Sequence, residues 1–180
     1  MKEDDLDLHY AICHEFVEDA KCVEAEIFSV GMHGTHMYFI TRGEMAYDFT
    51  YCTAPLTPVW VKEWLAEPVL WAVWEHRGRL TVASSSCEFL KLSAVQFHSA
   101  VINSATWVAL RRYGQLYVKD MVRSTIELAH ISDLWGGPDI VQDVMTRAFN
   151  EATDPTVLDR NIGIFLCLSQ SDDVVKLNFF

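Results

Sequence analysis

The sequence predicts an α+β fold: a small antiparallel β-roll or jelly-roll barrel with flanking N- and C-terminal helices. Three observations predict it. Apolar residues recur with a helical period at the start of the chain, the period drops to two from about residue 25, and it becomes helical again after Leu92. A block of short strands followed by a block of helices suits an α+β layout, and short strands near one another close readily into a barrel or roll.

Taken in order, residues 4–22 place Leu8, Ile12 and Phe16 four apart, with acidic residues crowding the first turn. This predicts a helix. Strands follow at Glu26–Val30 and Met37–Thr41. Glu44–Tyr51 then alternates Met45, Tyr47 and Phe49 against polar or small neighbours. CTAPLTP is a loop. Trp60 and Trp64 suit core positions rather than the alternative, a partner-facing patch, and residues 67–74 suit a short apolar helix. Arg79–Ala83 and Glu88–Leu92 are strands joined by the turn Ser84-Ser85-Ser86. Helices are predicted over Ala94–Ile102, Ala105 to about Ala129, and Ile140–Phe149, with SDLWGGPD as a loop. In the longest helix Leu110, Tyr113, Tyr117 and Met121 share the face that packs on the roll. The organisation is therefore an N-terminal helical segment (1–24), a β-roll with lid helices (25–130), and a C-terminal helical extension and tail (131–180).

Composition narrows the function. With 14 basic and 25 acidic residues in 180, the net charge is −11, which repels phosphate backbones and argues against nucleic acid as a partner. The longest purely apolar windows, Ile162–Leu168 and Pro68–Trp74, are too short to span a bilayer, so direct membrane insertion is not expected. The five cysteines (Cys13, Cys22, Cys52, Cys87, Cys167) are odd in number, lack CxxC spacing and follow an acidic N-terminus. They read as reduced thiols of a cytoplasmic protein.

The stretch GMHGTHMYFITRG, residues 31–43, poses the sharpest question. His33 and His36 are three apart, but Gly31 and Gly34 break the helix that would align them, and no third ligand stands nearby. A surface turn with two solvated histidines fits better than a metal site. A cupin-like metal-dependent enzyme using His33 and His36 is the remote alternative. The glycines are more informative: Gly31, Gly34 and Gly43 mark places needing positive φ or close backbone approach. Gly43 is expected to open a hairpin between the strands on either side of it.

Phe28, Gly31, Gly34, Met37-Tyr38-Phe39-Ile40 and Gly43 together resemble the barrel pattern of the cyclic nucleotide-binding domain family. The resemblance covers roughly residues 8–130. Its tryptophan-rich LWAVWEHRG segment resembles the form found in cyclic-nucleotide-regulated, ion-channel-like proteins of protists. The family carries a phosphate-binding cassette with a glycine-glutamate pair, a one-turn helix and a following arginine. Residues 65–82 match it, with Glu67 at the glutamate and Arg77 at the arginine, ten residues on; Ala66 stands at the glycine. The resemblance implies that Glu67 accepts from the ribose 2′-hydroxyl, that the Val69 amide and Arg77 hold the phosphate, and that Trp107 or Tyr113 caps the base from the lid. Arg79 is a second candidate cation. A guanidinium forks onto phosphate oxygens, and Pro68 suits the first helical position. None of this requires an acid, base or nucleophile, so the resemblance implies a binding module and not an enzyme, with no cofactor beyond its ligand, cAMP or cGMP.

Ligand occupancy would be relayed through the C-terminal helices to an effector such as an ion channel. Such a module would sit in the cytoplasm, including at the cytosolic face of a membrane as part of a larger protein. A ligand-free scaffold or interaction domain of the same fold, with Trp71 or Trp74 filling the pocket, is the alternative.

Overall fold

A computed structural model describes residues 17–22, 25–49, 56–102, 104, 106–128 and 131–150. Its strands are β1 (Val17–Cys22), β2 (Glu26–Phe28), β3 (His36–Arg42), β4 (Met45–Phe49), β5 (Thr57–Val59), β6 (Trp64–Leu65), β7 (Gly78–Val82) and β8 (Cys87–Ser93). A single 3-10 turn, Glu67–Leu70, separates β6 from β7, and helices α1 (Ala94–Ile102), α2 (Trp107–Leu128) and α3 (Pro138–Asn150) follow.

The strands form two four-stranded antiparallel sheets, ordered β1-β8-β3-β6 and β2-β7-β4-β5. Successive strands repeatedly switch sheets, which makes the predicted roll. The alternation expected for β4 is present: Met45 and Tyr47 are buried while Ala46 and Asp48 are half-buried. In β3 four consecutive residues, Met37 to Ile40, are buried, so both faces of this strand are covered. One is covered in part by the 3-10 turn.

Several expectations need correction. CTAPLTP, read as a loop, runs into β5, whose Thr57 and Pro58 pair with Tyr47 and Ala46 of β4, and the short helix predicted over 67–74 is only the 3-10 turn Glu67–Leu70. The helix predicted over residues 4–22 gives way to a strand at Val17–Cys22, paired residue for residue with Cys87–Leu92 of β8. The period-four face ends at Phe16, and cross-strand pairing then outweighs local preference; residues 4–16 lie outside the described residues. Gly43 does not open a hairpin. It adopts φ 86° at a corner where the chain leaves one sheet for the other, and β3 and β4 pair with different partners. A Cβ there would lie 2.5 Å from the Ser86 carbonyl, so the bare backbone is what lets the corner pass close to β8. Trp60, expected in the core, is 52% exposed, while Trp64 is half-buried.

The helices match their predicted places. Leu110, Tyr113, Tyr117 and Met121 of α2 are all buried. On α3, Val141, Val144, Met145, Ala148 and Phe149 are buried at helical spacing, and this face packs on α2. Among the described residues no helix is long and apolar enough to cross a membrane. The tail beyond Pro155 lies outside the described residues.

Candidate functional site

The site is built where the segment from β6 to β7 meets α2 and the loop after it. Ala66 takes a left-handed conformation (φ 62°) that turns the chain into the 3-10 helix, with Pro68 in its first turn. The turn drives Glu67 inward. Its carboxylate is fully buried and takes three donors: the Tyr113 hydroxyl (2.7 Å), the Trp64 indole (3.1 Å) and the Trp71 indole (3.3 Å). Burial pushes its pKa up to about 7, against the opposing pull of the Tyr113, Trp71 and Trp64 donors. Burial, reinforced by the Glu67 charge, also raises the pKa of Tyr113.

The same segment holds a second buried carboxylate. Asp133, in the loop between α2 and α3, has no exposed surface. Its Oδ1 accepts from the Trp74 indole (2.7 Å) and from His76 Nδ1 (2.8 Å). Its Oδ2 accepts from the Tyr47 hydroxyl (2.7 Å) and from the amides of Arg77 (2.8 Å) and Gly78 (3.1 Å). Burial would raise its pKa, but the bonds from His76, Trp74 and Tyr47 outweigh burial and hold it below the usual range. Its backbone is fixed as well: its carbonyl accepts from the Ala66 amide (2.7 Å) and its amide donates to the Tyr47 oxygen (3.0 Å). Consecutive amides with side-chain donors around them make an anion cradle, and here a side chain of the chain itself occupies it.

Local sequence explains how the cradle is shaped. Gly78 is bare because Tyr47 crosses it; a Cβ would lie 2.4 Å from the Tyr47 ring. Residues 74–76 are fastened to the 31–34 turn by Gly34 N to Trp74 O, His76 N to Met32 O and Gly31 N to His76 O. Gly31 has φ 78°, and Gly34 lets Val69 and Trp74 approach, since a Cβ there would meet Val69 Cγ1 at 2.7 Å. Phe28 stacks on the His76 ring at 3.6 Å. Phe28, Gly31 and Gly34 of the sequence pattern are thus the back wall of the cradle, while Gly43 stands apart at the corner against Ser86.

The predicted site residues divide into two groups. Ala66, Glu67, Val69 and Tyr113 come together in the interior. The Val69 amide donates to the Ala66 carbonyl (3.2 Å), and Val69 itself is buried. Arg77 contributes only its backbone amide to the cradle; its exposed guanidinium stands 5.4 Å over the Trp74 ring. Arg79 is exposed and pairs with Asp48 (3.2 Å). Trp107 is half-buried, with the Arg111 guanidinium 6.0 Å above its ring. Trp74 is buried against the cradle, and half-buried Trp71 packs on Tyr113 with ring centroids 5.1 Å apart. His33 is exposed and its backbone forms an isolated antiparallel β-bridge with Glu75, while His36 is half-buried with its Nδ1 2.8 Å from the Thr35 hydroxyl. Among the described residues no group of three or more His, Cys, Asp or Glu is arranged to hold a metal ion.

Sequence reasoning missed Asp133, Tyr47 and His76. Tyr47 was legible as an inward strand position. Nothing local to SDLWGGPD marks Asp133 as a partner of residues more than fifty positions earlier.

No family model matches the chain, and no curated protein matches it. Solved structures do. The N-terminal domain of a transcriptional regulator from Streptomyces coelicolor A3(2) aligns over 73% of this chain and 88% of that one, at 13% identity and a TM-score of 0.51. The regulatory domain of Toxoplasma gondii PKA, crystallised with cAMP, aligns over 66% of this chain and 44% of that one, at 17% identity and a TM-score of 0.45. The C-linker/CNBHD of zELK channels aligns over 50% of this chain at 11% identity and a TM-score of 0.41, and this chain spans about half, 51%, of that one. The likeness is one of fold: in its described residues the chain is an antiparallel β-roll followed by three helices, and a PKA regulatory domain and a channel CNBHD are among the solved structures that it resembles.

Proposed function

We propose that the chain is a regulatory binding module, not a catalyst, whose anion cradle is held closed by its own Asp133 and opened by a cyclic nucleotide, cAMP or cGMP. The observation that carries this reading is the convergence of five donors on the Asp133 carboxylate. Such a set suits a phosphate monoanion as well as it suits a carboxylate. A nucleotide phosphate entering there displaces Asp133, and the exposed Arg77 guanidinium is placed to follow it inward.

Displacement has a mechanical consequence. Asp133 fastens the loop joining α2 to α3, and Tyr117 of α2 holds the same loop through the Trp135 carbonyl (3.1 Å). Freeing the loop changes how α2 and α3 sit on the roll. That change is the signal passed to an effector, an ion channel being the kind the sequence resemblance suggests. The module works by population shift between a closed form and a nucleotide-bound form. Its response is limited by how much more tightly the nucleotide binds the cradle than Asp133 does.

The test is a set of thermal melts with graded cAMP and cGMP on wild type, Asp133→Ala and Arg77→Ala. Asp133→Ala should melt lower than wild type without ligand, because it leaves buried donors unpaired, at about 1–3 kcal/mol each. Nucleotide should then raise its melting temperature at lower concentrations than wild type needs. Ligand at a hundredfold over Kd adds about 2.7 kcal/mol, a shift on the order of 5–10 °C for a domain of this size. Arg77→Ala should lose the response. If no nucleotide moves either wild type or Asp133→Ala, the gated reading fails, and the closed scaffold or interaction domain replaces it.

A further inference from the structure

Cys22 closes β1 and Cys87 opens β8, and the two are direct partners in the antiparallel ladder. Both are free thiols; Cys87 is fully buried and Cys22 is half-buried. Residues directly opposed on antiparallel strands hold their Cα atoms about 4.5–5.5 Å apart, within the span that a disulfide bridges. We infer that Cys22 and Cys87 are a reversible cross-strand disulfide site, closed by exchange with a low-molecular-weight disulfide of the glutathione type.

The exchange takes two steps. The Cys22 thiolate, the more accessible of the two, attacks one sulfur of glutathione disulfide. The Cys22–glutathione bond forms, the old S–S bond breaks, and the leaving thiolate takes a proton. Cys87 then loses its proton and attacks the Cys22 sulfur, expelling the second glutathione thiolate. Two protein thiols are oxidised to one disulfide while one glutathione disulfide is reduced to two thiols. Burial, followed by the nearby Cys22 and Glu88, pushes the Cys87 thiol up to about 11. Cys87 therefore stays protonated until the mixed disulfide presents it with a target. The reduced pair is the resting state in a reducing compartment, as the cysteine pattern predicts.

Placement gives the bond a role. β1 is the outermost strand of its sheet, and β8 runs directly into α1. In α1, His98 Nε2 donates to the Leu70 carbonyl of the 3-10 turn that carries Glu67. Closing Cys22–Cys87 therefore fastens the edge strand to the strand that leads to the site. It also restricts the unfolded chain over the intervening loop.

The experiment uses the full 180-residue chain, reduced and then exposed to glutathione disulfide, alkylated and digested with trypsin. The expected product links the fragment Cys22–Arg42 to the fragment Leu80–Lys91, two hydrogens lighter than the sum. The oxidised chain should melt higher, by roughly 5–10 °C, and dithiothreitol should reverse the shift. Cys22→Ser should show neither the link nor the shift. Cys87→Ala is the second control and should retain only the mixed disulfide on Cys22. The inference is overturned if wild-type Cys22 stops at the mixed disulfide, pairs instead with Cys13, Cys52 or Cys167, or does not react.

Discussion

Ala66 sits at φ 62°, in the left-handed region where a Cβ crowds the backbone. The position is buried, and its amide is committed to Asp133. In the family that the sequence resembles, this position is glycine, and the geometry supplies the reason. Ala66→Gly relieves strain of about 1–2 kcal/mol and returns part of it as unfolded-chain entropy, about 0.4–1 kcal/mol. The variant should therefore be slightly more stable than wild type, by about 0.5–1 kcal/mol, and a urea midpoint measured on both chains checks this. A loss of stability would mean that the Ala66 methyl group contributes more by packing than its backbone costs. The spacing of Glu67 and Arg77 is legible in the sequence. That one points into the protein and the other out of it is not, because a single residue's displacement in the turn decides orientation.

At the scale of elements, α2 is fitted to the 3-10 turn through Trp71. The Trp71 ring lies against the bare backbone of Gly114, where a Cβ would come within 2.5 Å of the ring. In the sequence Gly114 only weakens a helix; in the fold it is what allows α2 to approach. Gly114→Ala must push Trp71 aside, and with it the indole bond to Glu67. A cost of about 1–3 kcal/mol is expected from such overpacking, although alanine is the better helix former. Gly137→Ala is the matched control, since a Cβ there meets nothing within 4 Å. Thermal melts of the two variants should differ in this order, and equal behaviour would show that α2 is not seated on Trp71. Element existence was readable from periodicity for β3, β4, β8 and all three helices. β1 was not, because its strand state comes from β8 across the sheet.

For the molecule as a whole, the two buried carboxylates respond to pH with opposite signs. Glu67 has a folded pKa raised from 4.5 to about 7. Its contribution is complete below the unfolded value and is lost as pH rises through about 7, amounting to something on the order of 3 kcal/mol. Asp133 is held below its ordinary 3.8, so its contribution is present above that value and is lost as pH falls beneath it. Stability should therefore peak in mildly acid solution and decline toward pH 8. Glu67→Gln should flatten the neutral limb while leaving the acid limb in place. Melting curves from pH 3 to pH 8 on both chains decide it; an unchanged neutral limb in the variant would remove Glu67 from the account.

By itself the sequence determined the α+β class, the places of β2, β3, β4, β7, β8 and the three helices, and the glycine positions of the 31–43 segment, but neither β5 nor β6. These are legible because periodicity and glycine placement are local properties of the chain. Only the tertiary structure decided which groups meet. Asp133 enters the cradle, Tyr113 closes on Glu67, and Cys22 faces Cys87 because packing the two sheets and α2 brings together residues far apart in the chain. Burial then sets their chemistry: a carboxylate removed from water takes up a proton more readily, as Glu67 does despite its three donors, unless its donors outweigh burial, as those around Asp133 do.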